Sequence, residues 1–201
     1  MEKAGVTDVY FAPLGCGPVE QVYPPARQAR IEASVYEGQR RQRYFVWKLL
    51  EYALESSFGL QFAQQEFSVD GAGKWHCGAC FFSLSHSREA VAVAVSDRPV
   101  GVDIECLDRA PVPGLEKKIL TEQELRAYDA LAPEKRQTFL LEKWCAKESL
   151  FKKDGGTFDP GQMSTDESAL TGTVTVAGCA YAYAVATDQP ARLRICAQVM
   201  L

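Results

Sequence analysis

Two short stretches carry side chains equipped for chemistry. In "VGVDIE" (100–105), a strand reading puts Val100, Val102 and Ile104 on one face and Gly101, Asp103 and Glu105 on the other. Two carboxylates side by side on a sheet face repel each other. A hard divalent cation reverses that sign, and Mg²⁺ is commonly held by one or two carboxylates plus phosphate oxygens. A solvated face that happens to carry two acids is the competing reading of this stretch alone. In "WCAKESLFKK" (144–153), helical geometry lays Leu140, Trp144 and Phe151 on one stripe, with Leu141 and Cys145 beside it. Glu148 projects into that stripe, where a carboxylate is costly unless compensated. An i,i+4 pair with Lys152 is the simple compensation. A cation shared with Asp103 and Glu105 is the other, and it leaves Lys147 and Lys152 free to face phosphates. A third stretch, "SLSHS" (83–87), offers hydroxyls and His86 at a strand end, which suits an anion.

Elements to position these residues are readable around them. "VTDVYFAPL" (6–14) has strand composition and ends in a Gly/Pro cluster; "PPARQARIEASV" enters a short helix after prolines. A long helical pattern runs from Gln39 to Phe58, with Phe45, Leu49, Tyr52 and Leu54 inside and Arg40, Arg41 and Arg43 at its start. "QQEFSVDGAGKW" reads as a short strand and a turn, and "FFSLSHS", "AVAVAVS" and "RPVGVDIE" as strands. "GLEKKILTEQELRAYDAL" and "PEKRQTFLLEKWCAKESLFKK" read as helices, followed by strands in "ALTGTVTVAG", "CAYAYAVAT" and "LRICAQV". Each half runs strand, helices, strands, an α+β pattern with a seam near residue 100.

Composition narrows the class. The 201 residues are 47% hydrophobic and 24% charged, with net charge −4 and pI about 5.3. Residues 1–100 hold 10 basic and 11 acidic groups, and 101–201 hold 12 and 15, so no basic stripe for nucleic acid or membrane stands out. No run reaches the roughly 18 apolar residues of a membrane helix, and "MEKAGVTDVY" lacks a secretory pattern. Seven scattered cysteines without an export signal read as reduced thiols. "HCGAC" (76–80) is a lone C-x-x-C with no second pair at zinc-finger spacing, so it reads as a loop. A soluble cytoplasmic protein is expected.

Together the motifs resemble the 4′-phosphopantetheinyl transferase superfamily. Its G-x-D-x-E pattern appears as Gly101-Val-Asp103-Ile-Glu105, and its W-x-x-K-E-x-x-x-K as Trp144-Cys-Ala-Lys147-Glu148-Ser-Leu-Phe-Lys152. "FFSLSHS" upstream and the chain length are similar to the Sfp-type branch, which has two similar α+β halves related by a pseudo-two-fold. The resemblance implies an N-terminal half (1–99) on the coenzyme A 3′-phosphate side, and a C-terminal half (100–201) carrying the metal and pyrophosphate side with the catalytic helix. It implies Mg²⁺-dependent transfer of phosphopantetheine from coenzyme A to a serine of an apo acyl or peptidyl carrier protein, releasing 3′,5′-ADP. Coenzyme A would lie between the halves of a monomer, with the carrier's acidic helix beside that cleft and no nucleic acid or membrane partner.

In the family, positions matching Asp103, Glu105 and Glu148 hold Mg²⁺, and the Glu148 position also helps deprotonate the serine. The Lys152 position contacts phosphate and steadies the leaving group, with Lys147 a second candidate for the same work. His86 matches a 3′-phosphate contact, with Ser85 beside it. Lys74 matches the lysine of the family's Gly-Lys-Pro turn, which reads Gly73-Lys74-Trp75 here. Arg43 is the upstream basic contact chosen over Arg40 and Arg41, and Glu124 resembles an acidic position between the main motifs. Two rival readings stand beside this one: a degenerate coenzyme A-binding protein, and another Mg²⁺-dependent enzyme acting on a phosphate ester.

Overall fold

The computed structural model describes residues 5, 7–71, 73–110, 112–165 and 169–195. In chain order its elements are β1 (Thr7–Pro13), α1 (Pro25–Glu32), α2 (Glu37–Phe58), β2 (Phe67–Val69), β3 (Trp75–Cys77), β4 (Phe81–Ser87), β5 (Ala90–Ser96) and β6 (Val100–Cys106). Then follow α3 (Glu116–Ile119), α4 (Glu122–Ala130), α5 (Pro133–Asp154), β7 (Leu170–Val176), β8 (Cys179–Thr187) and β9 (Ala191–Ile195). The fold is α+β. One sheet has the order β4-β5-β1-β9, a second β6-β8-β7, and β2-β3 form a separate hairpin.

Strand alternation builds the layers. Val9 and Phe11 of β1 and the alanines of β5 (Ala90, Ala92, Ala94) face Val102, Ile104, Tyr181, Tyr183 and Val185 of the second sheet. The opposite face of the first sheet, with Tyr10, Val91, Val93 and Val95, packs on Phe45, Trp47, Leu49 and Leu50 of α2. Beneath the second sheet, Ala182 and Ala184 of β8 take Leu141, Cys145 and Ala146 of α5. The order is therefore helix, sheet, sheet, helix. Small alanines on β5 and β8 let neighbouring layers approach closely, as close packing of an interior demands.

Two expectations are corrected here, and the last strand is placed. Tyr52 was expected inside α2 and is 41% exposed, while Tyr44, Val46, Trp47, Leu50 and Ala53 join the buried face. The helical run after Gly114 is two helices, because Thr121 and Glu124 form a reciprocal capping box that starts α4 anew. β9 pairs in parallel with β1, so the last strand returns to the first sheet. Of "LRICAQV", residues 196–199 lie outside the described residues.

Gly101 fixes how α5 meets β6. A Cβ at this position would stand 1.8 Å from the Ser149 carbonyl oxygen and 2.9 Å from the Lys153 nitrogen. Both are helix backbone, so neither can rotate away. Gly101→Ala should lower stability by about 3 kcal/mol, the upper part of the usual overpacking range. Urea denaturation checks this, and a midpoint matching wild type would show that the helix can stand off the strand.

Candidate active site

Between the basic end of α1 and α2 on one side and β6 with α5 on the other lies a cleft of about 600 Å³. Its lining includes Arg43, Lys74, Ser85, His86, Asp103, Glu105, Glu148 and Lys152, eight residues singled out from sequence. Their separation along the chain is bridged by β4, which runs alongside β6, and by Lys74, whose ammonium donates to the Lys152 carbonyl oxygen of α5.

The acidic wall is built on β6. Asp103 is buried, with Oδ1 accepting from Ser85 Oγ and from Lys152 Nζ, each at 2.7 Å. Its other oxygen, Oδ2, is buried with no hydrogen-bond partner. Glu105 Oε2 accepts from Ser87 Oγ at 2.9 Å and from Arg109 at 3.3 Å. The solvated-face reading of "VGVDIE" is thereby overturned. Burial raises the pKa of Glu105 and the Asp103 charge adds to it, while Ser87 and Arg109 pull the other way. Burial also raises the pKa of Glu148; Lys152 opposes this, and Asp103 and Glu105 reinforce it. The Asp103 charge therefore acts on both Glu105 and Glu148, and that of Glu105 on Glu148.

They do not converge on one point. Among the described residues, no three His, Cys, Asp or Glu side chains are grouped closely enough to hold a metal ion. The competing i,i+4 ion pair of Glu148 with Lys152 is not made either: Lys152 Nζ goes to Asp103 Oδ1 and the Val102 carbonyl. Lys152 is thus engaged rather than free for a phosphate. Asp103 Oδ2 is buried, with the Cys145 thiol beside the Asp103 carboxyl, so it is not open to the cleft as these acids stand.

Lys147 is a plain correction. Its side chain is fully buried and points away from the cleft, donating to Glu124 Oε2 at 2.5 Å and to the carbonyls of Ile119 at 2.7 Å and Pro160 at 2.8 Å. The two lysines of "AKESLFK" lie on different sides of α5, because five residues turn a helix by about 140° beyond a full turn. Ser85 lines the cleft, but its proton is directed to Asp103 rather than toward the basic wall.

That basic wall holds more than sequence reasoning found. Arg27 and Arg30 of α1 join Arg43, Lys74 and His86 around the cleft. Arg27 is 5% exposed, stacks 4.7 Å from the Trp47 ring, and leaves its Nε without a partner. Burial, then the charges of Arg30 and Arg43, push its pKa down to about 9. His86 opens to solvent, yet partial enclosure lowers its pKa, and Lys152, Arg27 and Arg43 lower it further. A cluster of cations that repel one another is a stored demand for an anion. The signal in the sequence was "ARQAR", two arginines one helical turn apart, hidden by the prolines before them. Arg40 does not line the cleft; it lies beside Glu37, and Arg41 bonds the carbonyls of Gly15 and Gly17.

Known proteins resemble this chain over the segment that carries the acidic wall. Residues 99–187, the segment carrying β6, α5, β7 and β8, match the 4′-phosphopantetheinyl transferase superfamily. The chain is 28% identical over 110 residues to a protein of Bacillus subtilis named 4′-phosphopantetheinyl transferase, covering 53% of this chain and 49% of that protein. It is 26% identical over 119 residues to 4′-phosphopantetheinyl transferase psf-1 of Bacillus pumilus, covering 58% and 51%. The chain spans about half the length of the curated relatives it matches. No helix among the described residues is long and apolar enough to cross a membrane.

Proposed function

We propose that this protein transfers the 4′-phosphopantetheine group of coenzyme A to a serine hydroxyl of an apo acyl or peptidyl carrier protein, releasing 3′,5′-ADP. The observation that carries this reading is the opposition, within one cleft, of an acidic wall (Asp103, Glu105, Glu148) and a basic wall (Arg27, Arg30, Arg43, Lys74, His86). A pyrophosphate ester with a separate terminal phosphate needs both. Phosphoryl transfer depends chiefly on positioning and on neutralising charge.

In this reading Arg27, Arg30, Arg43, Lys74 and His86 take the 3′-phosphate. Lys152 lines the cleft while bonded to Asp103, and would exchange that partner for the leaving 3′,5′-ADP. Asp103, Glu105 and Glu148 are the acids that would hold Mg²⁺, which would supply neutralisation of the pyrophosphate oxygens; they are not grouped as a metal site in this structure. Glu148, half-buried and with raised pKa, accepts the proton of the carrier serine as its oxygen attacks the phosphorus that bears pantetheine. The bond from that phosphorus to the bridging oxygen breaks. The two-half, Sfp-type organisation (1–99 and 100–201), a monomeric state and a cytoplasmic location belong to the same proposal.

Incubating the protein with Mg²⁺, coenzyme A and apo carriers of fatty-acid, polyketide and nonribosomal-peptide type, then weighing each carrier, tests the reaction. A gain of one phosphopantetheine group is expected; no gain on any carrier would sink the proposal. The basic wall has its own test. Arg43→Ala should weaken coenzyme A binding roughly ten- to a hundredfold, the ~1.5–3 kcal/mol of a hydrogen bond to a charged group. It should leave binding of the analogue lacking the 3′-phosphate nearly unchanged. Equal losses for both ligands in calorimetry would remove Arg43 from that contact.

A further inference from the structure

The "HCGAC" stretch, a loop by its sequence, closes on itself in the structure. β3 ends at Cys77, β4 begins one residue after Cys80, and the two cysteines pair as an antiparallel bridge across Gly78 and Ala79. Residues directly opposite in antiparallel strands have Cα atoms about 4.5–5.5 Å apart, inside the roughly 4.4–6.8 Å that a disulfide spans. Orientation agrees with distance. Both side chains pack on the core that holds Trp47, Phe62 and Phe82, so the sulfurs lie on the same side of the strand pair. The cysteines of the second sheet have no such partner: Cys106 stands opposite Tyr181, and Cys179 opposite Val176.

The two thiols are not equivalent. Cys77 is half-buried and directs its proton to Gln65 Oε1, 4.0 Å from its sulfur. Cys80 is 8% exposed, and burial, then the neighbouring Cys77 to which it hydrogen-bonds, push its pKa up to about 12. Such a thiol is inert toward a reagent in solution, because the thiolate is the attacking form and access is poor. Cys77 is the sulfur that solvent reaches. Once Cys77 is bound in a disulfide it carries no charge, so its share of the upward push on Cys80 falls away.

We propose that Cys77 and Cys80 form a reversible dithiol–disulfide site, oxidised by a small-molecule disulfide of the glutathione type, with Cys77 as the attacking and Cys80 as the resolving thiol. The Cys77 thiolate attacks one sulfur of glutathione disulfide; a mixed disulfide forms and one glutathione thiolate leaves, taking up the proton that Cys77 lost. The Cys80 sulfur, its proton released to water, then attacks the Cys77 sulfur. The bond from Cys77 to glutathione breaks, and the second glutathione leaves and is protonated. Two protein thiols are oxidised and one glutathione disulfide is reduced to two thiols. The bridge closes beside the basic wall, since Lys74 and Trp75, at the other end of β3, line the cleft. The alternative is that both cysteines only fill the core as small apolar side chains.

The folded full-length protein is exposed to glutathione disulfide at about pH 8, close to the ordinary thiol pKa, then quenched with acid and mapped by peptide mass. Trypsin releases both cysteines in one peptide, residues 75–88, so the bridge registers as the loss of two hydrogens from that peptide. That loss is expected, with dithiothreitol restoring the original mass, while the exposed Cys16 and Cys179 take up a glutathionyl group. Cys80→Ser should trap a glutathionyl group on Cys77, and Cys77→Ser should leave Cys80 unreacted. Cys80→Ala replaces the first variant if a buried hydroxyl unfolds the turn. Wild-type protein in which Cys77 keeps its glutathionyl group and no bridge forms would overturn the proposal. So would a peptide 75–88 left untouched while Cys16 reacts, or a Cys80 that reacts in Cys77→Ser.

Discussion

Glu148→Gln should bind coenzyme A and fold normally, yet transfer phosphopantetheine about a thousandfold more slowly than wild type, within the range for loss of a general base or a key electrostatic group. The substitution is nearly isosteric, and among the described residues no hydrogen bond holds Glu148 in place. Removing its charge therefore orphans no partner. Asp103→Asn is the less informative variant, since Asp103 also anchors Lys152 and Ser85. The basic wall is untouched in Glu148→Gln, so the adenosine 3′-phosphate end should still be recognised. Single-turnover transfer to an apo carrier, set beside equilibrium binding of coenzyme A, reads both quantities. A transfer rate within tenfold of wild type would take Glu148 out of the chemistry. Loss of binding without a separate loss of rate would point to a binding module rather than a transferase.

How far the sequence discloses this site depends on how local each cause is. Asp103 and Glu105 are legible because strand alternation is a local rule, and β6 obeys it with Val102 and Ile104 facing the other sheet. Gly101 belongs to the motif for a reason no sequence displays, namely the backbone of α5 lying against it. The serines of β4 invited an anion-binding reading, since nothing local shows that their hydroxyls close the edge of a strand 19 residues away. Arg27 was missed because its burial depends on Trp47 of another helix. Helical phase misled most at α5. The stripe of Trp144, Glu148 and Phe151 is apolar enough to imply a core, but it lines the cleft and is only half-buried. An aromatic wall beside a ligand and a core face have the same periodicity, and only tertiary packing separates them. The charge that does lie fully inside is the neighbouring Lys147.

Lys147→Met should therefore destabilise the protein by ~3–5 kcal/mol, the penalty for breaking a buried ion pair by removing one partner. The ammonium ties three segments together: Ile119 at the end of α3, Glu124 in α4 and Pro160 in the loop after α5. Without it, two carbonyls lose their donor and Glu124 keeps a charge facing an apolar side chain. Thr165 Oγ1, 2.9 Å from Glu124 Oε1, extends the same network. Burial pushes the Glu124 pKa up, but Lys147, the Thr121 N–H and Thr165 together outweigh it and hold the carboxyl below its ordinary 4.5. Lys147 shows the opposite balance: burial lowers its pKa, and Glu124 offsets only part of that. Hence the pair contributes little net stability while its rupture is expensive. The acid limb follows from the sign of the Glu124 shift. Its contribution is fully present above 4.5 and fades as pH falls through the lower folded value, so Glu124→Gln should flatten the loss of stability below that pH. The double variant Lys147→Met with Glu124→Gln keeps the capping-box acceptor for the Thr121 N–H and removes the stranded charge. Urea denaturation should find it more stable than Lys147→Met alone by about half of the single-variant loss. If the double variant is no better than the single one, the cost lies in the two abandoned carbonyls rather than in Glu124. Because Lys147 and Glu148 are consecutive on α5, the same comparison should show transfer recovering with stability, as expected if the pair holds the helix that aims Glu148 into the cleft.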